Sequence, residues 1–229
     1  MLIQANIVEI FRSIQGEGKY VGVPQVFVRF AGCNLSCPWC DSAFARDVNA
    51  GEAYSCDELW KEVQPLVDGI HSVSLTGGEP LMQKDFLKKF LPVLREHKLT
   101  VFLETNGTLP GALREVIDGV DIVAMDFKLP TSNGGQEYWA AHEEFLTIAK
   151  RKDVFVKAII SKRTGIVDIM KAVDIIVQHG SAIPLFLQPN FFELDDELMA
   201  RCAEFQQYCA TYLEDVRVLP QMHKFMNLK

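Results

Sequence analysis

The sequence predicts an α/β protein, an open partial (β/α) barrel of six to seven mostly parallel strands. Short apolar strands alternate with helices from residue 73 onward, the order that builds a parallel sheet from βαβ units. Polar, glycine-rich residues recur just past the ends of those strands: Gly77-Gly78-Glu79-Pro80, Glu104-Thr105-Asn106-Gly107, Asp126-Phe127-Lys128 and Gln188-Pro189-Asn190. Barrels of this kind gather their sites at that end. The strands are too few to close an eight-stranded barrel. No linker-like stretch interrupts the chain, so residues 1–229 read as a single domain.

In chain order, residues 3–11 alternate enough for a strand and lead into the glycine-punctuated loop Ser13-Ile14-Gln15-Gly16-Glu17-Gly18. Residues 25–31 read as a buried strand with Arg29 its one charge, and residues 41–54 as polar and irregular. Ser55 and Glu58 have capping-box spacing and open a helix to about Val67. Strands follow at 73–76, 100–103, 121–125, 154–160, 185–187 and 216–218. Helices lie between them at 85–97, 110–117, about 136–151, 165–179 and 195–213. Cys202 and Cys209, seven apart on the last helix, belong to its core face. His71, His97 and His179 fall at helix or loop margins and receive no role.

The net charge is −7 and no long basic run occurs, which argues against a nucleic-acid partner, since phosphate backbones are held by clustered Lys and Arg. Residues 1–6 lack the basic region and apolar run of a signal peptide. No apolar stretch approaches the ~20 residues that span a bilayer. A cytoplasmic protein without a membrane partner is expected. There thiols stay reduced, and clustered cysteines favour a metal over a disulfide.

Half of the six cysteines stand in Cys33-Asn34-Leu35-Ser36-Cys37-Pro38-Trp39-Cys40. Thiolates so close repel one another unless a cation sits among them. A structural zinc takes four protein ligands. Three cysteines therefore fit a zinc knuckle completed by a distant ligand such as Cys56, or a 4Fe–4S cluster with one iron left open. Gly32-Cys33-Asn34-Leu35 through Cys40-Asp41 resembles the signature loop of the radical S-adenosylmethionine (SAM) enzymes. The resemblance implies a 4Fe–4S cluster on Cys33, Cys37 and Cys40, with SAM chelated at the open iron and cleaved to a 5′-deoxyadenosyl radical. It also implies a partial barrel of the radical SAM type.

Within that resemblance, Gly77, Gly78 and Glu79 match the segment that contacts the methionyl amino group. Glu104 and Asn106 match the next element, where the carboxylate lies near the SAM ribose and the substrate; Glu104 is the candidate catalytic residue. Lys128 would suit the SAM carboxylate. Read without the resemblance, Glu104 is a helix cap or surface carboxylate and Lys128 a surface lysine. Lys157, inside an apolar strand, is costly unless paired and points into the barrel mouth or marks a misplaced strand end. Arg29 suits a carboxylate through paired hydrogen bonds, from substrate or from a structural ion pair.

Gln15-Gly16-Glu17-Gly18 and Gln221-Met222-His223-Lys224, with the motifs between them, resemble the 7-carboxy-7-deazaguanine synthases of deazapurine (queuosine) biosynthesis. That resemblance covers nearly the whole chain. It implies Mg²⁺-assisted ring contraction of 6-carboxy-5,6,7,8-tetrahydropterin with loss of ammonia. A pterin's 2-amino-4-oxo edge calls for an acceptor pair such as Glu17 with Gln15 or Gln188. Its carboxylate calls for Arg29 or His223. The hydroxyl of Ser42, where the family usually shows Thr, is the implied Mg²⁺ ligand; otherwise it caps the turn after Asp41. A flavodoxin- or ferredoxin-type reductant and a homodimer are further expectations. Asp126-Phe127-Lys128 looks more like the glycyl-radical activases, an alternative whose partner would be a large protein. A non-catalytic zinc-binding module is the remaining rival.

Overall fold

The computed structural model describes residues 3–228. The elements in order are β1 (Ala5–Ile14), β2 (Pro24–Phe30), β3 (Glu52–Tyr54), α1 (Cys56–Val63), β4 (Ser72–Gly77), α2 (Lys84–Glu96), β5 (Val101–Thr105) and α3 (Pro110–Val116). There follow β6 (Ile122–Phe127), α4 (Trp139–Ala149), β7 (Asp153–Ile160), α5 (Ile166–His179), β8 (Leu185–Pro189), α6 (Asp196–Cys209), β9 (Val216–Val218) and α7 (Met222–Phe225). The strands form one sheet in the order β3-β1-β2-β4-β5-β6-β7-β8-β9. β2 and β4 to β9 run parallel, seven strands in all. β3 and β9 are the edges, so the barrel is open, as expected.

Two features lie outside the sequence expectation. β1 pairs antiparallel with β2 and continues to Ile14, which the sequence places in the loop. β3, inside the stretch read as irregular, pairs antiparallel with β1. Elsewhere the local signals act as their chemistry dictates. Ser55 and Glu58 form a reciprocal capping box that satisfies two free N–H groups at the start of α1. α1 stops at Val63 and α6 at Cys209, each shorter than the apolar periodicity suggests. No described helix is long and apolar enough to cross a membrane.

Side chains alternate across each strand, and the two faces divide the labour. Outward residues such as Leu103, Val123, Met125, Val156 and Leu187 join the main core beneath the helices, with Cys202 and Cys209 both fully buried in it. Burying each large side chain contributes about 1.5–3 kcal/mol. Inward residues Phe102, Ile122, Ala124, Phe155 and Phe186 make a second, smaller cluster inside the barrel. That cluster is a floor. Two residues further along the same strands the inward positions become Glu104, Asp126, Lys157 and Gln188.

The β1–β2 connection, residues 15–23, turns into the barrel. Tyr20 packs against Phe102 and Phe155 of the floor. Its hydroxyl donates to Asp153, which also accepts from Lys19. Burial, with Asp153 beside it, pushes the Tyr20 phenol up to about 12, so this latch stays protonated at neutral pH. Gly18 holds a left-handed φ of 63° with Phe155 against it; a Cβ there would lie 2.8 Å from the ring's Cζ. The latch fixes where Gln15 and Glu17 stand.

Candidate active site

The floor, the cysteine loop and the strand ends enclose a cavity of about 1200 Å³, counting its open mouth. Gln15, Glu17, Arg29, Cys33, Cys37, Cys40, Ser42, Gly77, Gly78, Glu104, Asn106, Lys128, Gln188 and His223 all line it. Glu79 does not.

Glu79 stands behind the wall. The Gly78 N–H donates to the Phe30 carbonyl (3.0 Å) and the Glu79 N–H to that of Gly32 (2.8 Å), which lays this segment beside the entrance to the cysteine loop. The Glu79 carboxylate accepts from the N–H groups of Leu81 and Asn106 and from the Thr105 hydroxyl. Burial dominates, raising its pKa to about 7 despite those donors. The side chain is a bracket between two loops, and only Gly77 and Gly78 present themselves to a ligand. Asn106 Nδ2 donates to Asn34 Oδ1 at 2.9 Å and ties the same bracket to the cysteine loop.

Cys33, Cys37 and Cys40 are free thiols on one short loop. Burial pushes the Cys33 and Cys37 thiols up, while Lys128 pulls them down. Three cysteines clustered on one loop are a donor set suited to iron, which takes thiolates. Lys128 is 6% exposed, which excludes a surface lysine. Its Nζ lies 2.9 Å from Asp126 Oδ2 and 4.7 Å from the Trp39 ring centre.

Glu104 is neither a cap nor a surface group. It accepts from Gln15 Nε2 (2.7 Å) and Thr76 Oγ1 (2.9 Å). Gln15 also donates to Gln25, which donates to Ser72. Gln15 Oε1 accepts the Glu17 N–H. With both ends of its amide engaged, Gln15 is framework. Gln188 differs: it is 2% exposed and its Oε1 has no hydrogen-bond partner among the described residues. A buried acceptor left open costs about 1–3 kcal/mol unless a ligand fills it.

Glu17 divides its carboxylate between Lys157 (2.5 Å) and Gln221 (2.7 Å). Lys157 thus points into the cavity and is paired. Arg29 gives Nε to Glu9 (2.9 Å) and Nη1 to Ser42 Oγ (3.1 Å), with its guanidinium 5.9 and 5.8 Å from the Phe11 and Phe44 ring centres. Ser42 donates to Asp41 Oδ1 and makes no side-chain cap, so the turn-capping reading does not describe it. His223 Nε2 and Lys224 Nζ lie 3.8 and 3.5 Å from Asp41 Oδ2. Burial pushes the Asp41 carboxyl up, but His223, Lys224 and Ser42 together hold it well below the usual carboxylate range. One donor atom each from Glu17, Asp41 and His223 fall within 4.8 Å of one another.

The radical SAM superfamily model matches residues 27–183. The 7-carboxy-7-deazaguanine synthase of Geobacter sulfurreducens is 40% identical over 97% of this chain and 97% of its own. The chain belongs to the 7-carboxy-7-deazaguanine synthase family of radical SAM enzymes. The synthase of Methanothermobacter thermautotrophicus is 32% identical over the full length of both chains. The crystal structure of QueE from Escherichia coli superposes with a TM-score of 0.67 at 22% identity, covering 96% of this chain and 95% of that one. That likeness shows the shared fold. Membership carries a 4Fe–4S cluster and SAM.

Asp126, Lys157, Asp41 and Gln221 line the synthase-family cavity without having been assigned a role in the sequence. A signal for the first two exists. Each is a charge two residues beyond an inward apolar side chain, Ala124 or Phe155. Registers Ala124↔Phe155 and Asp126↔Lys157 bring them side by side.

Proposed function

We propose that the chain converts 6-carboxy-5,6,7,8-tetrahydropterin to 7-carboxy-7-deazaguanine by ring contraction with loss of ammonia, in queuosine biosynthesis. The observation that carries this reading is that Gln188, whose buried Oε1 has no hydrogen-bond partner among the described residues, lines the same cavity as the Glu17 carboxylate. Two such acceptors suit the N–H donors of a 2-amino-4-oxo edge. A site built for that edge rejects analogues lacking it by ~10⁴-fold or more.

In this reading Cys33, Cys37 and Cys40 hold the cluster. Gly77, Gly78, Glu104, Asn106 and Lys128 hold SAM. Together these groups supply the one-electron cleavage that begins hydrogen abstraction from the substrate. Lys128 takes the SAM carboxylate, and Glu104, fixed by Gln15 and Thr76, accepts from the ribose hydroxyls. Arg29 and His223 meet the substrate carboxylate. Gln15 acts through Glu104 and Glu17.

Mg²⁺ fits at Ser42. Its hydroxyl donates to Asp41 and accepts from Arg29, leaving one lone pair. Mg²⁺ takes few protein oxygens and keeps several waters. A flavodoxin- or ferredoxin-type protein supplies the electron, and the protein works in the cytoplasm as a single-domain chain. A homodimer would cover Ile166, Met170 and Val177, exposed along one stripe of α5.

The test is anaerobic turnover of reconstituted protein with SAM, reductant and carboxypterin. Deoxyadenosine and 7-carboxy-7-deazaguanine should form in step. Carboxypterin that yields no product, with a glycyl-radical enzyme activated instead, would replace this reading with the activase one.

A further inference from the structure

Asp126 stands between the two ligand halves of the cavity. Its Oδ2 accepts from Lys128 Nζ at 2.9 Å. Its Oδ1 lies 3.3 Å from Lys157 Nζ, yet has no directed hydrogen bond among the described residues. Lys157 spends its contact on Glu17 Oε2, at 2.5 Å. Lys128, Asp126, Lys157 and Glu17 thus form a row of alternating charges with side chains 7%, 24%, 5% and 16% exposed. The row runs from the cysteine loop to the loop carrying Glu17.

We propose that Asp126 is a positioning residue that couples the two pockets, so that a carboxylate bound at Lys128 strengthens pterin binding at Glu17. The inference rests on the placement of SAM and pterin given above. A ligand carboxylate that pairs with Lys128 competes for the cation on which Asp126 Oδ2 depends. Asp126 remains a half-buried anion with one other cation in reach, Lys157, and an acceptor already 3.3 Å from it. Closing that gap draws Nζ away from Glu17. Glu17 Oε2 then regains a lone pair for the ring N–H donors. Charges this close in a poorly solvated interior feel such exchanges strongly. Close packing favours a switch between discrete partners over a graded one. Because coupling is reciprocal, the pterin raises SAM affinity by the same factor.

The test measures carboxypterin Kd by equilibrium dialysis on cluster-loaded protein without reductant, with and without saturating SAM. In the wild type SAM should lower Kd by about 10-fold, within the range usual for coupled sites. Decarboxylated SAM should not. In Asp126→Asn and in Lys157→Gln the ratio should fall to within about twofold of one, while pterin binding without SAM stays measurable; Asp126→Glu should restore part of it. If Asp126→Asn fails to hold iron, Lys157→Gln decides. A wild-type ratio near one, coupling by decarboxylated SAM, or a ratio unchanged in the variants overturns the inference and leaves the pterin reading intact. Wild-type protein that binds no carboxypterin removes both.

Discussion

Gly16 and His223 touch so closely that a Cβ on residue 16 would lie 2.7 Å from both the backbone nitrogen and the Cβ of His223. The Met222 N–H also donates to the Gly16 carbonyl at 2.9 Å. Glycine here is what lets the chain's last helical turn close over the cavity.

Gly16→Ala should therefore lift the tail. Overpacking of this kind costs about 1–3 kcal/mol, which at 1.4 kcal/mol per tenfold is at most a ~5- to 150-fold loss of carboxypterin affinity. Iron content and SAM binding should hold, since the tail meets the signature loop only at Asp41, past the last cysteine, and Gly77-Gly78 are elsewhere. A variant that binds carboxypterin as the wild type does would separate the tail from recognition.

Gln188→Leu removes an acceptor, Oε1, that no described residue uses. Stability should change little or rise, while pterin affinity falls by at least ~10-fold. Thermal unfolding and binding, measured on the same preparation, should move in opposite directions. A stability loss with unchanged binding would make Gln188 structural.

Ser42→Thr should keep Mg²⁺ stimulation of turnover and Ser42→Ala should lose it. Threonine keeps the oxygen and adds the methyl group that restricts its rotamer. Turnover against Mg²⁺ concentration decides this; an Ala variant with the wild-type response takes Ser42 out of the metal site.

Glu79 makes a prediction about pH. Its folded pKa of about 7 lies above its ordinary value of 4.5, burial being the main cause. Between those values the folded state binds more protons than the unfolded state. Stability therefore falls as pH rises through that window, by about 3 kcal/mol in total, and levels off above it. Chemical denaturation of the metal-free protein should show this slope, and Glu79→Gln should lack it at the cost of a weaker bracket at low pH. Equal slopes in the two proteins would refute the assignment.

What the sequence made legible was whatever depends on neighbours along the chain. The parallel strands, the Ser55 cap and the polar residues after each strand are of this kind. β3 was hidden because three residues, two of them exposed, carry no alternation to read, and only pairing with β1 makes them a strand. Lys157 was visible as a misplaced charge, but its partners Glu17 and Asp126 follow from strand register and from the inward turn of residues 15–23, which are tertiary facts. Glu79 shows the converse. Its motif was recognised, yet only burial reveals that the side chain braces the loops from behind.

The contact between residues 16 and 223 also bears on how the protein is made. Closing so long a loop costs more entropy than any local pairing, and contacts between distant residues form late. As the chain leaves the ribosome, the three cysteines and the strands around them emerge well before Gln221 and His223. The side of the cavity that Gln221 and His223 form therefore closes late, after the cysteine loop and the strands that carry it.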